Sequence, residues 1–314
     1  MEVQFEPGPL KRPYHRPVPA PATLEWFGTA TFRVREAGLD LFFDAYLDRL
    51  PGLEPVGLST ADVQKAEFVF VSHAHFDHLY GAEAIATRTG ATVVCSPESA
   101  RCLRAAGVPD SQLVVVTGGE TVRCGPTTTV RVLPSLHSCL FAHSEVDTAL
   151  PCLGDLDLSA QARAAKVADL FSLLASAPAP AGPALVAMNE QCSRHDGGQL
   201  AYLLVTTRGS MLVSGSAGYW RGIFDGLRPD VALLSLGGRP NVDGEPFQGS
   251  SAQYVLEQAQ VLRPGRIAFC HHDPLFPGLP GTDVDAAAAA ALRAAGAPSG
   301  YLALEYATPV TLFG

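Results

Sequence analysis

Glu67-Phe68-Val69-Phe70-Val71-Ser72-His73-Ala74-His75-Phe76-Asp77-His78 is the stretch whose reading decides the fold. Residues 67–71 form a near-continuous apolar run, the pattern of a strand buried on both faces. The run leads straight into three imidazoles and one carboxylate within residues 73–78. Groups so close in sequence meet at one point only if the backbone turns sharply, and a loop at a strand end supplies that turn. Imidazole nitrogen and carboxylate oxygen suit a zinc ion at about 2.0–2.2 Å. One histidine in such a place reads as a hydrogen-bonded structural side chain. HxHxDH behind a buried strand reads as a metal-binding loop.

Two further histidine sites share the strand-end context. His137 follows the apolar strand of Val-Leu-Pro-Ser-Leu-His-Ser, and His271-His272 end Ile-Ala-Phe-Cys-His-His-Asp. Three strand ends that present histidines can surround one metal centre. Of the nine histidines, His15, His143 and His195 then fall outside the constellation.

Strand signals run outward from the motif at 24–27, 31–35 and 39–43, the last ending at Asp44. Helix and strand then alternate: helix over 82–88, strand over 92–95, helix over 97–106, strands over 113–116 and 129–133. Residues 144–196 differ in character and read as an insertion. A helix is expected near 159–175, followed by the low-complexity joint Ala-Ser-Ala-Pro-Ala-Pro-Ala-Gly-Pro-Ala, which reads as flexible. Strands resume at 200–206, 210–214, 231–236 and 266–270, and an alanine-rich helix is expected over 285–295. This mixture argues for a layered α/β domain over residues 23–314. Residues 1–22 carry prolines at positions 7, 9, 13, 17, 19 and 21, a density that forbids helix and reads as an extended arm.

Composition narrows the function. The chain has 314 residues, is 47% hydrophobic and 17% charged, and carries a formal net charge of −9. An acidic surface repels phosphate backbones, so nucleic acid is not an expected partner. The first residues hold no apolar run of signal-peptide type, and no stretch approaches the roughly 18 apolar residues of a membrane span. The seven cysteines are scattered without a CxxC pair, as free thiols in a reducing compartment would be. A cytoplasmic location is expected, with no membrane contact; a homo-oligomer is left open.

His-Ala-His-Phe-Asp-His resembles the signature of the metallo-β-lactamase superfamily. Other segments resemble its ascorbate-6-phosphate-lactonase-like branch: LEWFGTATFRV with LDLFFDAYL, MLVSGSAGYW, DVALLSLGG and FCHHDPLFPGL. The resemblance spans about residues 23–280. It implies a four-layer αββα sandwich; the 144–196 insertion is unfamiliar to it and, pinned at both ends near the site, is expected to cover the opening as a lid. It also implies two metal positions at one edge. His73, His75 and His137 would hold one ion; Asp77, His78 and His271 would hold the other. The family's last histidine precedes an aromatic residue and an aspartate, which favours His271 over His272. Asp44 would brace the metal loop rather than bind. One departure stands out: where the family carries a bridging aspartate, this chain reads Ser214-Gly215-Ser216. Weaker occupancy of the second position follows.

The resemblance implies a zinc-dependent hydrolase with one or two ions, manganese or iron being alternatives. Zinc brings the pKa of its water to about 7, and Asp77 would orient that water and accept its proton. A small ester-type substrate is expected, with a lactone favoured by analogy. The alternatives are a phosphodiesterase, β-lactamase-like or thioester hydrolase of the same fold, and a catalytically silent metal-binding protein. Arg239 is a candidate for bidentate capture of an anionic group, or a solvated loop arginine. His195, Ser216 and His272 are further candidates beside the metals or the substrate.

Overall fold

The computed structural model describes residues 21–144, 149–278, 281, 284–294, 296 and 299–313. The Pro-rich arm lies, up to residue 20, outside the described residues, as do residues 145–148 of the insertion. At the arm's end Ala22 is buried, and its carbonyl accepts the Leu312 N–H at 2.8 Å.

Along the chain the strands are β1 (Thr23–Trp26), β2 (Phe32–Glu36), β3 (Leu39–Phe43), β4 (Phe68–Phe70), β5 (Thr92–Cys95), β6 (Leu113–Val115), β7 (Thr121–Arg123), β8 (Thr129–Pro134), β9 (Leu200–Val205), β10 (Ser210–Ser214), β11 (Gly218–Tyr219), β12 (Val231–Ser235), β13 (Asn241–Val242), β14 (Glu245–Pro246), β15 (Arg266–Cys270), β16 (Gly300–Tyr301) and β17 (Val310–Thr311). The helices are α1 (Phe76–Leu79), α2 (Ala82–Thr89), α3 (Pro97–Ala105), α4 (Ala160–Ala175), α5 (Ala181–Gln191), α6 (Arg221–Phe224), α7 (Ser251–Leu262) and α8 (Val284–Ala294).

Two seven-stranded mixed sheets stack face to face, in the orders β17-β1-β2-β3-β4-β5-β6 and β16-β15-β12-β10-β9-β8-β7. Strand alternation assigns each apolar side chain to a layer. Leu41, Phe43 and Phe70 of the first sheet meet Val132, Tyr202, Val213 and Leu233 of the second in the central core. Phe42, Val69 and Val93 point the other way, onto Ile85, Leu103 and Leu185 of α2, α3 and α5. Leu212, Leu234 and Phe269 likewise face Tyr254, Leu262 and Leu292 of α7 and α8. Strands buried on both faces explain the unbroken apolar runs. The result is the four-layer αββα sandwich.

Besides short elements such as β7, β11, β13, β14, β16 and α6, which the sequence reading does not contain, three segments depart from it. Only the first part of the low-complexity joint is a connection, because Ala181–Ala184 form the first turn of α5. Pro183 is tolerated there, since first-turn N–H groups have no intrahelical partner. Helix α7 was unanticipated; Ser250 caps it, accepting from the Gln253 N–H at 3.2 Å while the Gln253 side chain returns to the Ser250 N–H at 2.8 Å. β17 pairs with β1 and lengthens the first sheet at its edge, from a segment without a recognisable strand pattern.

Candidate metal centre

Strands β3, β4, β8, β10 and β15 end at one edge of the sandwich. Asp44 follows β3, Ser72 and His73 follow β4, His137 follows β8, Ser214 closes β10 and His271 follows β15. The motif changes conformation midway. The backbone is still extended at His75 (φ −69°, ψ 156°), and Phe76 then opens the single turn of α1. Extended residues two apart share a face, so His73 and His75 point together, while the turn carries Asp77 and His78 round to a second point.

Ring nitrogens of His73, His75 and His137 lie within 4.8 Å of one another, as do ligand atoms of His73, Asp77 and His78. His75 Nδ1 stands 3.0 Å from His73 Nε2 and 3.1 Å from His137 Nε2. One proton on His75 Nδ1 cannot satisfy both neighbours. His137 Nδ1 points at the Ser138 carbonyl at 2.8 Å, which places its proton there and leaves Nε2 as a lone pair. His75 hydrogen-bonds the Arg194 backbone, and His73 Nδ1 lies 3.1 Å from Ser72 Oγ. The inward nitrogens therefore present lone pairs to a common centre. That arrangement repels itself without a cation and suits one with it; tetrahedral ligands about 2.1 Å from an ion stand roughly 3.4 Å apart. All three residues resist protonation. Burial, reinforced by the neighbouring histidines, holds His73 well below the usual imidazole range and His75 at about 3, and burial also lowers His137.

The second point is anionic. Asp77 Oδ2 lies 3.2 Å from His78 Nε2 and 3.1 Å from His271 Nε2. Burial opposes ionisation of Asp77, but His78 and His271 outweigh it and hold the carboxyl well below its usual range. Asp44, 1% exposed, accepts from the Ser72 N–H at 2.7 Å, Ser72 Oγ at 2.9 Å and His78 Nδ1 at 2.7 Å. Desolvation would lower the His78 pKa, yet Asp77 and Asp44 together raise it to about 10. Asp44 and His271 both have positive φ, 53° and 60°, a strained backbone for such residues at a site that over-determines it. His271 also needs Gly237, where a β-carbon would lie 2.3 Å from its Nδ1.

The remaining candidates divide. His272 stacks on Trp26, centroids 5.1 Å apart, so His271 is the member of the pair turned toward Asp77. Ser216 Oγ accepts the Ser138 N–H at 3.1 Å, and the 214–216 segment brings no carboxylate to the centre. Arg239 corrects the expectation of an anion-binding loop side chain. It is 1% exposed, and its guanidinium donates to the Phe247 and His143 carbonyls at 2.9 Å each. It ties loops together under the surface and does not line the cleft.

That cleft, of about 540 Å³, opens beside His75 and His137. Exposed Arg194 and His195, with Asp196, form part of its wall. The other wall is α4, whose Phe171 ring meets His75 edge-on at 6.0 Å. The insertion thus lies over the imidazole cluster. Ser159 caps α4, and Arg163 anchors it through the Leu158 and Gly244 carbonyls and the Glu245 carboxylate. No helix among the described residues is long and apolar enough to cross a membrane.

Comparison with known proteins agrees with this geometry. Residues 39–153 match the beta-lactamase superfamily domain, which contains five of the six expected ligands. A UPF0173 metal-dependent hydrolase of Pyrobaculum calidifontis is 31% identical over 115 residues, 37% of this chain and 50% of the relative. One from Anaeromyxobacter sp. (strain K) is 36% identical over 121 residues, 37% and 43% of the two chains. This chain spans about half the length of the curated relatives it matches. Among solved structures, Igni18, a metallo hydrolase from Ignicoccus hospitalis, superimposes with a TM-score of 0.60 at 18% identity, covering 93% of this chain and 98% of that one. CmlA, a diiron β-hydroxylase from Streptomyces venezuelae, gives 0.57 at 16% identity, covering 95% and 55%. The shared fold is that of the metallo-β-lactamase superfamily.

Proposed function

We propose that this metallo-β-lactamase-fold chain is a metal-dependent hydrolase of a small, ester-type substrate. The observation that carries the reading is the convergence of three imidazole lone pairs, each ring fixed from behind, beside a cleft that His75 and His137 line. His73, His75 and His137 would hold one cation; Asp77, His78 and His271 would hold a second, less anionic than usual because residues 214–216 add no carboxylate. Zinc fits the donor set best, with one ion more firmly held than the other. When bound, the metal acidifies water and stabilises negative charge developing on the substrate.

The chain's own residues do the rest. Asp77, ionised between two histidines, would accept a hydrogen bond from the attacking water and orient it. Asp44, through Ser72 and His78, keeps the ligand rings from rotating. The α4 wall limits bulk water around the reacting group. Resemblance to the ascorbate-6-phosphate-lactonase-like branch favours a lactone within this class. The acidic charge and the cleft of about 540 Å³ support a small molecule rather than nucleic acid as substrate.

Metal analysis of the purified chain, paired with turnover assays on lactones, aryl esters, thioesters, β-lactams and phosphodiesters, tests the reading. At least one equivalent of zinc and chelator-sensitive ester or lactone hydrolysis are expected. No metal retained after zinc reconstitution would refute it.

A further inference from the structure

Beside the imidazoles, and beside the polar Ser138, Ser172 and Asn241, the cleft carries two facing apolar surfaces. Leu136, Leu140 and Phe141, from the segment after β8, face Val167, Ala168 and Phe171 of α4 across it. Leu136, Leu140, Phe141, Val167 and Phe171 are all half-buried. Helix α4 buries none of its 16 residues; Leu174 packs against the core, while Val167 and Phe171 line the cleft. The one cation in this wall is neutralised: Arg163 is bound by two carbonyls and the Glu245 carboxylate, and its guanidinium lies 4.5 Å from the Phe141 ring centroid. Arg194, His195 and Asp196 line the cleft as well and present both signs of charge. The apolar faces themselves offer no partner to an ion that loses its water there, and they suit a neutral apolar body.

We propose that this lid cleft is a subsite for a neutral, apolar acyl or aryl group of the substrate. The group sits between Phe171 and Val167 on one side and Leu136, Leu140 and Phe141 on the other, with the scissile bond at the His75–His137 end. The subsite gives the hydrolase reading its substrate class and rests on that reading for the chemistry, though not for binding.

Two measurements on the full chain separate the claims. The first is binding of a neutral solvatochromic naphthalene dye to chelator-treated protein, followed by its emission shift. Val167→Asp, on a helix with no buried residue, should weaken binding at least about tenfold, while Leu173→Asp on the exposed face of α4 should leave it unchanged. The second is kcat/KM of the zinc-loaded protein on p-nitrophenyl acetate, phenylacetate and the ionised hemisuccinate. The phenylacetyl ester should exceed the acetyl ester at least about tenfold, mostly through KM, with the hemisuccinate poorest. Phe171→Ala should collapse that ratio toward one. Dye binding sensitive to Val167→Asp with no ester or lactone turned over leaves the subsite standing and removes the ester-hydrolase reading. Turnover without acyl preference, together with dye binding indifferent to Val167→Asp, overturns the subsite.

Discussion

Replacing Asp44 by asparagine removes one negative charge while keeping the side chain's size. Asparagine also tolerates the left-handed backbone that residue 44 adopts at φ 53°, so the substitution isolates the carboxylate. In the native site the carboxylate takes donors from the Ser72 N–H, Ser72 Oγ and His78 Nδ1 at 2.7, 2.9 and 2.7 Å. An amide oxygen can accept two of these, and the amide NH₂ must then face the third donor. Hydrogen bonds to a charged group contribute about 1.5–3 kcal/mol against about 1 for neutral pairs, and a stranded buried donor costs about 1–3. Two weakened bonds and one lost bond sum to roughly 3–4 kcal/mol of destabilisation in the metal-free protein. Because His78 and His73 lose the group that fixes their rings, metal affinity should also fall about 10–100-fold. The assay is urea unfolding of chelator-treated protein, read at constant slope, with zinc affinity from chelator competition. A loss under about 1 kcal/mol together with zinc affinity within about twofold of native would refute the bracing role.

Stability of the metal-free protein against pH should peak near the unfolded histidine pKa of about 6.5. His73, His75 and His137 are lowered in the fold, so the unfolded chain takes up more protons below that pH, and stability falls toward acid with a limiting slope near 4 kcal/mol per pH unit. His78, raised to about 10, contributes stability that is full below about 6.5 and is lost as pH climbs to its folded value, at up to about 1.4 kcal/mol per unit; urea melts from pH 5 to 10 that show no acid-side steepening contradict the buried neutral cluster. Under mild chelation the second cation should leave first, and Ser216→Asp, which adds a carboxylate beside Ser138, should tighten it; equal release of both ions, or looser binding in the variant, rules out the assignment of that segment. Gly237→Ala should push His271 off Asp77, because its β-carbon would fall 2.3 Å from the ring, and the measured consequence is second-site occupancy at least about tenfold weaker.

Legibility in the sequence followed the range over which each residue's role is decided. The layered α/β arrangement is legible because strands such as Phe68–Phe70 and Val231–Ser235 are buried on both faces and leave continuous apolar runs; the four-layer sandwich is what the resemblance of the metal motif implies. The metal loop was readable because extended and helical turns lie within six residues, so its donors meet whatever the rest of the chain does. Arg239 misled because a loop arginine after a strand looks the same whether its partners are solvent, substrate or, as here, the carbonyls of Phe247 and His143; those partners lie 8 and 96 positions away. Helix α7 was missed although its capping box, Ser250 with Gln253, is a local signal that could have found it. The lid subsite was illegible for a different reason. The inward face of α4 carries alanines beside Val167 and Phe171 and buries no residue; Leu174 alone of its residues packs against a core cluster, so its periodicity is weak. Its meaning arises only when Phe171 comes to rest against His75. A helix that puts apolar side chains beside a metal-type centre, yet leaves space between them, is shaped by what enters that space. The substrate's apolar surface would then be the last element of its packing, and the preference for a neutral acyl group follows from the same physics that folds the rest of the chain.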